Sequence, residues 1–293
     1  MNQLLVQSSL AYFALALTII SAWVKRSPWV WGSFLIFAFL LGYMSKILTP
    51  IALLPIGGLF LLHSFLKGDI KGFARFLLVL AATLLSLGLI IHYFPGFNNW
   101  KILDKVQISK GASPVTLYLK FDKPFIGIFV LVLGFPLIAN RHQFLQLLKV
   151  AIPLTLLGLA ILIPLALFSG LIHWDPKWPK MTWFFLLENL IFVSIIEEAF
   201  WRGFLQKEAF RFFGGKGFFA NWACVVVVAL GFAALHYFWV PHWPFLTLVF
   251  VAGLVYGAIF QITKALEASI LCHWVFNATH FLLFTYISTY KVS

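Results

Sequence analysis

Ten apolar runs follow one another along the chain, each ended by charged residues or by Pro and Gly. They cover residues 4–24, 29–45, 50–66, 73–94, 125–139, 150–172, 183–203, 221–238, 245–263 and 266–290. A stretch of about 17–25 residues is what a helix needs to cross a hydrocarbon core of roughly 30 Å. Inside lipid the backbone finds no water, so spanning segments are helices or strands of a closed barrel. The period-2 alternation of a barrel is absent from these runs. The sequence therefore predicts an all-α fold, a polytopic transmembrane helical bundle of about 8–10 spans, with the second and fifth runs short.

Composition agrees. Hydrophobic residues make up 62% of the chain and charged residues 10%, against roughly 45–50% and about 25% in soluble domains. A soluble globular protein is excluded. Cys224 and Cys272 both fall in apolar runs and read as small buried hydrophobes rather than a disulfide. The net charge of +12 would suit nucleic acid only if it formed a basic block with a recognition motif, and it forms neither. The basic residues stand in short loops instead, where they orient the spans and meet anionic lipid headgroups. If the runs alternate across the membrane, twelve Lys and Arg lie on one side and four on the other once the loop 95–124 is set aside. That bias puts the N-terminus outside and the 204–217 loop in the cytoplasm. The first run is long enough to span and lacks a preceding basic region, so it reads as a span rather than a cleaved signal.

The stretch VQISKGASPVTLYLKFD, residues 106–122, reads as two short extended pieces around a turn, a candidate extramembrane hairpin or lid. Two parts emerge: residues 1–149, N-terminal transmembrane helices with the extramembrane loop 95–124, and residues 150–293, a core in which the chemistry-bearing residues gather.

Ionisable residues inside a span cost roughly 2.5–3.5 kcal/mol each on insertion scales and mark function by default. Three groups stand out, Glu197-Glu198-Ala-Phe-Trp-Arg202, Phe232-Ala-Ala-Leu-His236 and His273-Trp-Val-Phe-Asn277. At about 100° per residue, Glu198 and Arg202 lie on nearly one face and can pair. Glu197 points about 100° away from Glu198 and is the carboxylate left for chemistry. Glu188 projects from roughly the opposite face and is left out of the site. His273 and Asn277 are again four apart and can donate to a common atom. These groups supply what peptide hydrolysis needs. Glu197 with His236 can hold and deprotonate a water, while His273 and Asn277 can stabilise the oxyanion formed when that water attacks a carbonyl. His242 reads as an interfacial residue and His280, near the face of His273, as a weaker candidate for the site's surroundings.

Together the three motifs resemble the CPBP family of intramembrane proteases, also called the Abi or CAAX-protease family, whose pattern is EExxxR, FxxxH and HxxxN or HxxxD on successive core helices. The resemblance covers residues 150–290. It implies an intramembrane endopeptidase in which Glu197 and His236 activate water, His273 and Asn277 form the oxyanion hole, and Glu198, Arg202 and Phe232 support them. It also implies a glutamate-type mechanism with no metal and no cofactor, although Glu197, His236 and His273 could in principle hold zinc with an open position. An Asn in the third motif is a poor zinc ligand and suits a donor role better. The expected partners are membrane lipid and a membrane-associated protein or peptide substrate, with no nucleic acid, in a multi-pass protein of the plasma (inner) membrane if bacterial. Two other classes use the same residues. A proton-coupled transporter would relay protons through the buried carboxylates, but the repeated broken helices typical of one are not seen. A non-catalytic member of the same fold, acting as a membrane scaffold or immunity protein, would have no need of the intact motif set.

Overall fold

Each of the ten apolar runs contains a helix in the computed structural model, which describes residues 3–24, 27–109, 112, 114–132, 138, 140–214 and 217–286. The helices are α1 (Gln3–Val24), α2 (Pro28–Met44), α3 (Leu53–Lys67, preceded by a 3-10 turn Pro50–Ala52), α4 (Gly72–Ile90), α5 (Pro124–Val132) and α6 (Arg141–Phe168). A continuous helical run follows, composed of α7 (Thr182–Glu188), a π-helical stretch Asn189–Ser194, α8 (Ile195–Glu198), a second π-helical stretch Ala199–Gln206, and α9 (Lys207–Phe213). The last three are α10 (Phe218–His236), α11 (Trp243–Thr263) and α12 (Leu266–Leu283). Among the described residues six helices are long and apolar enough to cross a membrane, and α2, at 17 residues, falls just short. The protein is an integral membrane protein of all-α, polytopic architecture.

Several boundaries differ from the sequence expectation. The sixth run starts nine residues early, at Arg141, because the Asn140 side chain accepts a hydrogen bond from the Gln143 backbone N–H at 2.9 Å and caps the helix there. The last run does not stay helical. It turns extended at Phe284, and β4 (Phe284–Tyr286) pairs antiparallel with β3 (Ile172–Trp174), which also ends the sixth run at Phe168. The hairpin exists, but its first strand comes earlier than expected: β1 is Trp100–Val106 and β2 is Val115–Leu119. Parts of several expectations, namely 133–137, 139 and 287–290 of the runs, Lys110, Gly111 and Ser113 of the turn, and the loop charges Lys25, Arg26, Lys216 and Lys291, lie outside the described residues.

The chain forms two compact units that interleave in sequence. The first comprises 1–103, 117–135 and 191–200, the second 104–116, 136–190 and 201–293. In the first, α1 packs on α2 and α3 on α4, and α5 packs against α1, α3 and α8. Helix α5 is apolar on every side, and every residue from Pro124 to Leu131 is buried, as a short all-apolar helix must be. Gly127 makes the contact with α8 possible, since a Cβ there would lie 2.5 Å from Ile196 Cδ1.

In the second unit α11 is the hub, packing on α6, α10 and α12. Gly253 and Gly257, four apart on α11, present bare backbone. Arg202 donates to the Gly253 carbonyl at 2.8 Å and Gln206, also four apart, to the Gly257 carbonyl at 3.0 Å. A Cβ on Gly257 would meet Val225 at 2.8 Å and Gln206 Oε1 at 3.0 Å. Two small residues in register thus accept two polar side chains that lipid would reject. Cys224 and Cys272 are buried and form no disulfide, as their apolar surroundings suggested.

Candidate active site

His236, His273 and Asn277 line one cavity of about 440 Å³ in the second unit, together with Phe232, Tyr256, Asn189 and His280. Apart from Thr279 the rest of the lining is apolar, drawn mainly from α6, α11 and the β3–β4 corner. His236 is the last residue of α10. Its Nδ1 lies 2.8 Å from the Phe232 carbonyl oxygen. A carbonyl only accepts, so Nδ1 carries the proton and, in the neutral ring, Nε2 is the acceptor nitrogen. The Phe232 ring meets His236 edge-on at 4.7 Å. The four-residue spacing therefore serves the imidazole twice, through the backbone oxygen and through the ring.

His273 is buried and stacks on Tyr256, with ring centroids 4.7 Å apart and planes 11° from parallel. Asn277, one turn further along α12, donates from Nδ2 to Asn189 Oδ1 at 3.2 Å. An amide nitrogen has two hydrogens, so a second N–H remains for another acceptor. The pair can stabilise an oxyanion if a carbonyl enters this cavity. Asn189 was not recognised from the sequence. The available signal was a buried amide in an otherwise apolar helix, eight residues before Glu197.

Arg202 has no exposed surface. Its guanidinium carbon sits 5.2 Å from the Phe232 ring centre and 5.4 Å from that of Tyr256. One cation thus touches both the ring that backs His236 and the ring that backs His273.

Glu197 and Glu198 belong to the first unit. Glu198 is fully buried. Glu197 Oε1 receives the Lys123 ammonium at 2.5 Å, with both side chains largely buried, 10% and 15% exposed. Lys123 is a second residue that the sequence did not mark, because it stands among the charges of the long loop. Its backbone N–H donates to Asp122 Oδ1 at 2.9 Å. Asp122 Oδ2 in turn meets His92 Nδ1 at 2.5 Å, with Asn99 Nδ2 at 3.4 Å. A divalent cation on Glu197 Oε1 would face this ammonium. Among the described residues no group of three or more His, Cys, Asp or Glu could hold a metal ion.

At the β3–β4 corner, outside the spans, Asp175 Oδ2 accepts from the Thr285 hydroxyl at 2.5 Å and from Lys177 Nζ at 3.2 Å. The Ser109 hydroxyl, from the 104–116 segment of the same unit, lies 3.1 Å from the Thr285 hydroxyl. Bonds from Ser109 first, then from Thr285, with the Lys177 charge adding to them, hold the Asp175 carboxyl down to about 2.

Compared with known families, residues 178–279 match the one described as Type II CAAX prenyl endopeptidase Rce1-like. The Rce1-like segment contains all three motifs, Asn189 and the α7 to α9 helical run as far as it goes, and it omits Lys123. No curated protein and no solved structure matches the chain. The match of this segment to an endopeptidase family supports a protease or hydrolase.

Proposed function

We propose that the protein is a glutamate-type intramembrane endopeptidase acting on a membrane-associated protein or peptide, with prenylated CAAX-type peptides as the substrate class. The observation that carries this reading is the cavity in which the acceptor nitrogen of His236 and the donors of His273 and Asn277 are gathered on an otherwise apolar surface. An apolar lining suits a substrate that arrives from lipid with a hydrophobic chain attached.

In this reaction Glu197 and His236 are the two groups that activate a water. Its oxygen bonds the scissile carbonyl carbon while its proton passes to Glu197. The charge that develops on the carbonyl oxygen is met by His273 and by the second N–H of Asn277. Collapse of the tetrahedral intermediate breaks the C–N bond, and the proton held by Glu197 goes to the leaving amine. Glu198 and Arg202 anchor the helix that carries the base. No step calls for a Lewis acid.

The test uses protein in liposomes with a farnesylated peptide ending in a CAAX sequence, and reads release of the C-terminal tripeptide. Wild type should release it. Glu197→Gln should accumulate normally and release none, whereas Glu198→Gln should lose accumulation or activity only in part. Tripeptide release by Glu197→Gln at the wild-type rate would overturn the mechanism. Wild type that spares the farnesylated peptide, yet cleaves other membrane peptides in a Glu197-dependent way, would overturn the substrate class alone.

A further inference from the structure

We propose that Lys123, 74 residues before the first motif glutamate, is a positioning residue that holds the Glu197 carboxylate in its working orientation. The inference rests on Glu197 being the base of the reaction proposed above. Several features separate this pair from an ordinary ion pair. Both side chains are largely withdrawn from solvent at a separation of 2.5 Å, so neither swings through a wide set of rotamers. Each also sits on backbone that is fixed within the same unit. Lys123 immediately precedes α5, which is buried from Pro124 to Leu131, and its N–H is tied to Asp122, itself held by His92 and Asn99. Glu197 follows Ile196, which packs against α5 at Gly127, one turn beyond Lys123.

The chemistry follows from which oxygen is used. An ammonium donates and cannot accept. With Oε1 engaged by Lys123, the carboxylate is tethered at that oxygen and its rotation is restricted, so the proton from water is taken in the orientation this bond sets. A carboxylate released from this hold would still be present but misdirected, and misplacement by about 1 Å can cost about 10²-fold in rate. Lys123 then serves the reaction through Glu197, without touching substrate.

Two readouts test it. Lys123→Met keeps the stem and removes the donor, and should lower kcat by about 100-fold with KM within about twofold. Lys123→Arg, which restores a cationic donor in a different shape, should recover kcat to within about tenfold of wild type. The second readout needs no substrate: the infrared carboxylate bands of Glu197, isolated as wild type minus Glu197→Gln, should shift in Lys123→Met and move back in Lys123→Arg. Wild-type kcat in Lys123→Met, unshifted bands, or an Arg variant as impaired as the Met variant would each overturn the proposal. Should Lys123→Met fail to accumulate, Lys123→Leu, which likewise has no donor, takes its place with the same expectations. Failure of both to accumulate, with Glu197→Gln normal, would assign the pair to folding and overturn the proposal. A Glu197→Gln protein that still cleaves would bring down the protease mechanism instead, whereas an inactive Glu197→Gln beside a fully active Lys123→Met would bring down only the role of Lys123.

Discussion

The Asn277 side-chain amide donates to Asn189 Oδ1 across 3.2 Å, joining α12 to the start of the π-helical stretch that begins at Asn189. One hydrogen of the amide is fixed by this bond, and the direction of the other is set by it. Asn277→Ala should cost about 10²–10³ in kcat, the usual loss for one oxyanion donor. Asn189→Ala leaves that donor in place but loosens it, so about tenfold in kcat with little change in KM is expected. Steady-state cleavage of the farnesylated peptide checks both. An Asn189→Ala defect confined to KM would mean that Asn189 binds substrate rather than orienting Asn277.

Arg202 cannot be exchanged for lysine without loss. Its planar guanidinium lies between Phe232 and Tyr256 while donating to the Gly253 carbonyl, and a tetrahedral ammonium cannot stack on two rings and reach that oxygen together. Arg202→Lys should destabilise the fold by about 1–3 kcal/mol. The measurement is the unfolding midpoint in mixed detergent micelles. An unchanged midpoint would show that charge alone is needed at this position.

Gly127→Ala tests the packing behind Glu197. The added methyl would lie 2.5 Å from Ile196 Cδ1 and 3.1 Å from Ile196 Cα, so backbone must move along with side chain. Overpacking of this kind costs about 1–3 kcal/mol. Because Ile196 precedes Glu197, kcat should fall further than stability does, and comparing turnover per folded molecule with the unfolding midpoint separates the two.

The Asp175 corner should loosen in acid. Its carboxyl is lowered from 3.8 to about 2 in the folded protein. The charged form therefore favours the fold, with the full contribution present above about pH 4 and lost as the pH falls toward 2. Hydrogen exchange over 172–177 and 284–286 should accelerate across that window in wild type. Asp175→Asn should exchange fast already at neutral pH and show no such window.

Removal of divalent metal should leave cleavage intact. A carboxylate and a histidine can activate water between them without a Lewis acid. Protein dialysed against a strong chelator should turn over as before. Lost activity that returns with stoichiometric zinc would replace the glutamate mechanism with a metal-assisted one and leave the protease assignment in place.

The helices were legible in the sequence because lipid allows so few alternatives to a run of twenty apolar residues. Their ends were not, since hydropathy ignores who pairs with whom. Residues 284–286 are as apolar as a helix requires, yet they leave α12 because β3 offers them hydrogen bonds. Likewise the cap at Asn140 adds nine polar and mixed residues to the sixth run. At the site, spacing served well within one helix: His236 with Phe232, and His273 with Asn277, sit on shared faces of α10 and α12 and line one cavity. What spacing missed were partners brought by the fold from elsewhere. Lys123 resembled any loop charge until α5 carried it to Glu197, and Asn189 resembled a stray polar residue until Asn277 met it. The even 100° step assumed for the helix of the glutamates also failed, because wider windings stand on both sides of Ile195–Glu198.

Those wider windings turn catalytic register into a matter of counting. A π-helical stretch bonds i to i+5 instead of i to i+4 and so carries surplus residues that an α-helix would have no place for. Remove a single residue from 190–194 and the stretch can tighten into an ordinary helix that leaves the residues on either side facing as before. The cut would take no charge, no donor and no apolar contact of the motif itself. In an unbroken α-helix the same deletion would swing both Glu197 and Glu198 by about 100°, as digits on a dial move together by one click.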